Sequence, residues 1–165
     1  SLVAWTHAVE QQTRPSTLIF SRQNLPFITR DASQTANIAR GGYVVREAEG
    51  GSAQAVIIAT GSEVDLAMKA QTQLAAEGIR ARVVSMPSTN VFDRQDKAYI
   101  ESVLPRGIPR VAIEAGVSDF WRKYVGLEGA VVGIDRFGES APAGVLFKEF
   151  GFTVENLVNQ VKSVL

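Results

Sequence analysis

From Ala53 onward the chain repeats one pattern: a short apolar run, a turn rich in Gly, Ser or Pro, then a helix-patterned stretch. That alternation limits it to an α/β sheet that is mostly parallel, because each helix carries the chain back over the sheet to start the next strand. Ala55–Ala59 is apolar at every position, as expected for a central strand covered on both faces. Thr60, Gly61, Ser62 and Glu63 follow, with Ser62 placed to cap a helix over 64–77 and Gly78 at its C′ position. A strand at 81–85, a helix over 93–104, a strand at 110–114, a helix over 118–125 and a strand at 130–134 continue the series. From Ser140 the pattern is helical to the C-terminus.

Residues 42–47 also read as a strand, but only a short turn around Gly50, Gly51 and Ser52 separates them from the next one. A parallel crossover needs roughly a dozen residues or more, so these two strands are expected to be antiparallel to each other. The fold class is therefore three-layer α/β/α, with a mostly parallel five-stranded sheet and one antiparallel edge strand. Upstream, apolar groups at Leu2, Val3, Trp5, Ala8 and Val9 have near-helical spacing, and Arg14–Pro15 ends that helix. Thr17–Phe20 reads as a short buried strand, and 27–40 as a polar linker.

Lys plus Arg and Asp plus Glu both number 17, so there is no net basic field to attract nucleic acid or an anionic membrane. No run approaches the roughly 18–20 apolar residues that a membrane span requires. The absence of cysteine removes disulfides, thiolate metal sites and a thiol nucleophile, and suits a reducing cytoplasm. The chain has no initiator Met and opens within a helix pattern, which reads as a start inside a longer protein.

Several residues could carry chemistry. The Thr60–Glu63 turn joins a parallel strand to a helix, where backbone N–H groups can hold an anion and ligands often bind. It matches neither a dinucleotide nor a P-loop pattern, and Glu63 would repel phosphate, so a plain helix cap is the simpler reading. Glu114 and Asp135 end strands on the same edge and could form an acid–base pair, but no nucleophile accompanies them and helix capping or pairing with Arg is the simpler role. His7, the one histidine, has no metal-ligand spacing, and Trp5, Trp121 and Tyr124 read as packing residues. Arg22 follows an apolar run and stands beside Ser21, Gln23 and Asn24, where a guanidinium suits bidentate contact with phosphate or carboxylate as well as an ordinary ion pair.

Taken together, the stretches 18–26, 39–43, 58–64, 82–88, 102–105, 114–116, 124–126, 137–142 and 150–153 resemble the transketolase family in order and spacing along nearly the whole chain. The resemblance implies a parent enzyme that moves a two-carbon ketol unit between sugar phosphates in the pentose phosphate pathway. It further implies thiamine diphosphate with Mg or Ca as cofactors, and a homodimeric cytoplasmic protein. Residues 1–29 would be the tail of that family's pyrimidine-binding domain with the start of a linker, and 30–165 its C-terminal domain. The family's diphosphate and metal motif, its cofactor-activating acid and its substrate histidines have no counterpart here, so no catalytic, cofactor-binding or metal-binding residue is assigned. Only Arg22, the arginine of the family's Ser-Arg-Gln-Asn motif, carries over, as a ligand for the substrate's phosphate with partners from the rest of the parent chain. By itself the chain is expected to be inactive and to bind no thiamine diphosphate. Two other readings are a stand-alone anion- or nucleotide-binding module using the 60–63 turn, and the C-terminal domain of a related thiamine enzyme.

Overall fold

The computed structural model describes every residue, Ser1–Leu165. Along the chain run α1 (Leu2–Glu10), α2 (Ala32–Asn37), β1 (Tyr43–Arg46), β2 (Ala55–Ala59), α3 (Glu63–Ala76) and β3 (Ala81–Ser85). They are followed by α4 (Thr89–Phe92), α5 (Lys97–Val103), β4 (Arg110–Ile113), α6 (Arg122–Val125), β5 (Ala130–Val132), α7 (Ala143–Glu149) and α8 (Val154–Ser163). Single 3₁₀ turns cover Ile38–Arg40 and Ser118–Trp121.

The five strands form one sheet in the order β1-β3-β2-β4-β5. β2 pairs in parallel with both β3 and β4, and β4 with β5, while β1 is antiparallel at the edge. Alternation along β2 divides the core between two layers, since successive side chains leave opposite faces. Ala55, Ile57 and Ala59 pack with Leu74 of α3 and with Leu157, Val158 and Val161 of α8. Val56 and Ile58 pack on the other face with Phe92, Val103, Trp121 and Tyr124. Both clusters are built of buried hydrophobic side chains, so each fully buried Leu, Ile or Phe contributes on the order of 1.5–3 kcal/mol before entropy is counted.

Six local expectations need correction. β1 is antiparallel as anticipated, but its neighbour is β3 and not β2, with Tyr43 opposite Ser85. The connection 47–54 is no tight hairpin, and Gln71 Nε2 donates to both Glu47 O and Ala81 O, which ties β1 and β3 together from α3. Thr17–Phe20 is irregular rather than a strand, because no partner strand lies beside it to take its hydrogen bonds. The 27–40 segment contains α2, started by a capping box in which Asp31 Oδ1 accepts from Gln34 N and Gln34 Oε1 accepts from Asp31 N. The helix read over 93–104 is α5 alone, Lys97–Val103, starting where Asp96 caps the N–H of Tyr99, while α4 ends at Phe92, before that range. The helix read over 118–125 is a 3₁₀ turn leading into α6. Likewise the C-terminal helical stretch breaks at Gly151 (φ +78°), after which Thr153 caps α8 through Asn156 N. The end of α3 is as read, with Gly78 at φ +79° and Ile79 N bonded back to Leu74 O.

Candidate functional site

β2, β3 and β4 run in the same direction, so their carboxyl ends open on one edge of the sheet. The irregular strip 17–23 lies across that edge and closes a cleft of about 610 Å³. One wall holds Thr17, Ile19, Phe20, Ser21 and Gln23; the other holds Thr60–Glu63, Glu114–Val117 and the segment after β3. Gly61 sits between them at φ +54°, and a Cβ placed there would be 3.7 Å from Ser21 Oγ.

Ser62 does not cap α3. Its own backbone is helical (φ −67°, ψ −28°), whereas an N-cap residue must be extended to aim its oxygen at the free N–H groups. Its hydroxyl instead donates to Glu63 Oε1 at 3.0 Å. Glu63 is only 4% exposed. Burial pushes its carboxyl up, against the opposing pull of its own backbone N–H and the Ser62 hydroxyl.

Glu114 follows β4 directly, and because Ala59 pairs with Ile113, the two chain ends deliver Glu63 and Glu114 to the same cleft. Glu114 Oε2 is buried with no hydrogen-bond partner. Its carboxyl is pushed up to about 7, first by burial and then by the negative charge of Glu63. The acid that Glu114 meets is therefore Glu63 and not Asp135. Sequence reading passed over Glu63 as a mere cap; the missed signal is that two adjacent parallel strands each lead into a glutamate within one turn.

Asp135 has the plain role. Its carboxylate accepts from Ser118 N at 2.9 Å and Ser118 Oγ at 2.6 Å, capping the 3₁₀ turn, and the Ser118 hydroxyl holds it below the usual carboxylate range. Trp121 is buried against Phe120 and Tyr124. The Tyr124 hydroxyl donates to Asp93, and burial followed by that bond pushes it up to about 12. His7 is exposed on α1, and Trp5 is partly exposed, stacking on Phe20 with ring centroids 6.3 Å apart.

Arg22 is exposed, with Ser21 and Gln23 on either side lining the cleft. Its guanidinium takes part in none of the chain's eight ion pairs. No cluster of three or more His, Cys, Asp or Glu residues is placed to hold a metal ion. The cleft is lined by two carboxylates and by no Lys, Arg or His, so it repels phosphate, and the 60–63 turn is not a nucleotide site of the usual kind.

The profile of the transketolase-like TK C-terminal domain matches residues 41–153. Transketolase 1 of Pasteurella multocida is 62% identical over the full chain, which covers 25% of that protein. Among solved structures, transketolase from Leishmania mexicana superposes with a TM-score of 0.88 at 42% identity, over 98% of this chain and 23% of that one. Transketolase from Pichia stipitis in complex with sedoheptulose-7-phosphate gives a TM-score of 0.86 at 36% identity, over the same shares of the two chains. The chain thus spans about a quarter of the length of the curated relatives it matches.

Proposed function

Since the chain belongs to the transketolase family and supplies its C-terminal domain, we propose that it works as the last portion of a larger enzyme that transfers a two-carbon ketol unit between sugar phosphates. The observation that carries this reading is 62% identity sustained over the whole chain while covering only 25% of the relative. In this reading residues 1–29 end a pyrimidine-binding domain, and 30–165 form the C-terminal domain. Support for that division comes from α1, which buries no residue here, and from the apolar side chains of Leu2, Val9, Ile19 and Phe27 left in the open. The parent is a homodimeric, cytoplasmic enzyme of the pentose phosphate pathway.

Its cofactors are thiamine diphosphate and a divalent metal, and the residues of this chain do not fit them. No carboxylate or imidazole cluster suits the metal, and the two carboxylates of the sheet-edge cleft repel a diphosphate. Both groups belong with the portion of the parent outside this chain.

What this chain contributes to the reaction is Arg22. An exposed guanidinium free of carboxylate partners can offer its planar fork to a phosphate without first breaking an ion pair. The substrate's terminal phosphate is remote from the bond that breaks, so such a contact strengthens ground state and transition state alike. In the complete enzyme, Arg22→Ala should raise KM for phosphorylated sugars with little change in kcat. A charge-assisted contact of about 1.5–3 kcal/mol corresponds to roughly 10- to 150-fold in kcat/KM. Arg22→Lys should recover part of the loss, and unphosphorylated glycolaldehyde should be unaffected. Equal losses on both kinds of substrate would make Arg22 structural and sink the assignment.

A further inference from the structure

A second cleft, of about 660 Å³, lies between α1 with the segment that follows it and a wall made by α2, the first 3₁₀ turn and α4. Its charge is the reverse of the first. Arg14, Arg30, Arg94 and His7 line it, and no Asp or Glu does. The chain carries no net charge, so this gathering of one sign is local and not a background excess. None of the three arginines takes part in an ion pair. The neighbouring acids are committed elsewhere: Asp31 accepts from Gln34 N, Asp93 is held by Lys123 and Tyr124, and Asp96 pairs with Arg40. Glu10 of α1 does not line the cleft.

Arg30 is the most constrained of the three. It is half-buried, its Nε donates to the Tyr43 hydroxyl at 2.7 Å, and its Nη1 donates to the Ile28 carbonyl at 2.9 Å. Both acceptors are neutral, so they fix the plane of the guanidinium while leaving its charge unanswered. A charge drawn partly out of water without an opposite charge is unfavourable, and an anion at that point would offset the cost.

We propose that this cleft binds a small organic phosphate, its phosphate held by Arg30 and Arg94 and its organic body lying on the apolar part of the lining. A planar guanidinium fork meets phosphate oxygens two at a time. The volume falls within the range of about 300–1,000 Å³ usual for small-molecule sites, far more room than a bare phosphate fills. Phe27 and Ile38 offer apolar surface to the remainder, and Ser88 and Asn90 offer polar groups to orient it. Arg30, Arg94 and Ile38 all belong to the 30–165 portion, so the phosphate end does not depend on the tail. Nor does the site rest on the function proposed above, since Arg22 does not line it.

The test titrates phenyl phosphate, and separately inorganic phosphate, into the full 165-residue chain and follows the arginine Nε–Hε signals by NMR. The signals of Arg30 and Arg94 should move saturably, with phenyl phosphate acting at the lower concentration. Arg30→Gln should weaken phenyl phosphate at least about tenfold, as for any lost charge-assisted contact. Arg94→Gln, at an exposed position, should weaken it too and decides the matter if the first variant does not fold. Arg22→Ala should leave the affinity unchanged. Unmoved Arg30 and Arg94 signals overturn the proposal, as do equal affinities for the two phosphates. So does binding that survives Arg30→Gln and vanishes in Arg22→Ala, which would hand the phosphate to Arg22. Calorimetry then repeats the titration on the complete parent enzyme carrying Arg22→Ala, where phenyl phosphate should still bind and Arg94→Gln should again weaken it. No such binding there would mean that carboxylates of the remaining portion already hold these arginines, and the proposal falls.

Discussion

Replacing Glu114 by Gln changes one oxygen for an amide and removes an ionisable group that burial and the Glu63 charge hold at about 7 instead of the ordinary 4.5. Between those two values the folded chain keeps a proton that the unfolded chain has already released. Because the native state then binds more protons, unfolding free energy falls as pH rises, and the cost is fully present above pH 7. At 1.36 kcal/mol for each factor of ten in acidity, the interval between 4.5 and about 7 corresponds to at most about 3.4 kcal/mol. Glu114 lines an open cleft, and solvent screening reduces the figure to about 1–2 kcal/mol. Urea denaturation of wild type and Glu114→Gln across pH 4–9 measures it. The difference between the two proteins should change by about 1–2 kcal/mol in favour of Gln as pH rises from 4.5 to 8, which at a typical urea slope moves the midpoint by about 0.5–1 M. A difference that does not vary with pH, or one that turns against Gln on the alkaline side, would refute the reasoning, because only the ionisable group makes it pH-dependent.

Leu157→Ala should cost about 2–5 kcal/mol, since that fully buried side chain joins α8 to α3 over the sheet, and the loss should appear as a lower urea midpoint at unchanged slope. Residues 2–20 should exchange their amides much faster than 55–59, because α1 buries nothing and the strip has no ladder bonds; exchange as slow as that of β2 in a proven monomer would contradict this.

Much of the domain was legible before any coordinates. The apolar run 55–59 could only be a central strand, and the alternation after it required a parallel sheet between helices, because the periods of strand and helix are local properties of the chain. The antiparallel sense of the edge strand was anticipated from the short connection after residue 47, but on the premise that it pairs with the next strand, whereas it pairs with β3. Gly78 announced the end of α3 through its tolerance of positive φ. The same local signals overran where helix starts depend on competition: the helix read over 93–104 begins only after Asp96, and the stretch 140–165 restarts at Thr153, residues whose capping oxygens take the N–H groups of Tyr99 and Asn156. Arg22 was picked out by its neighbours and by the motif they compose, which local sequence can carry.

Tertiary structure alone decided the rest. Which strand lies beside β1 depends on where β3 lands after a crossover, and Gln71 bonds to both only once they are adjacent. Thr17–Phe20 has every mark of a strand, yet pairing is a property of two segments, and no strand of the sheet lies beside this one. Glu63 and Glu114 lie far apart along the sequence and look like a helix-start acid and a strand-end acid. Their meeting in one cleft, and the raised value of Glu114 from burial and then from the Glu63 charge, exist only after the carboxyl ends of β2 and β4 are set side by side. Desolvation and charge repulsion act through space, so no inspection of either glutamate in its own segment could have paired them.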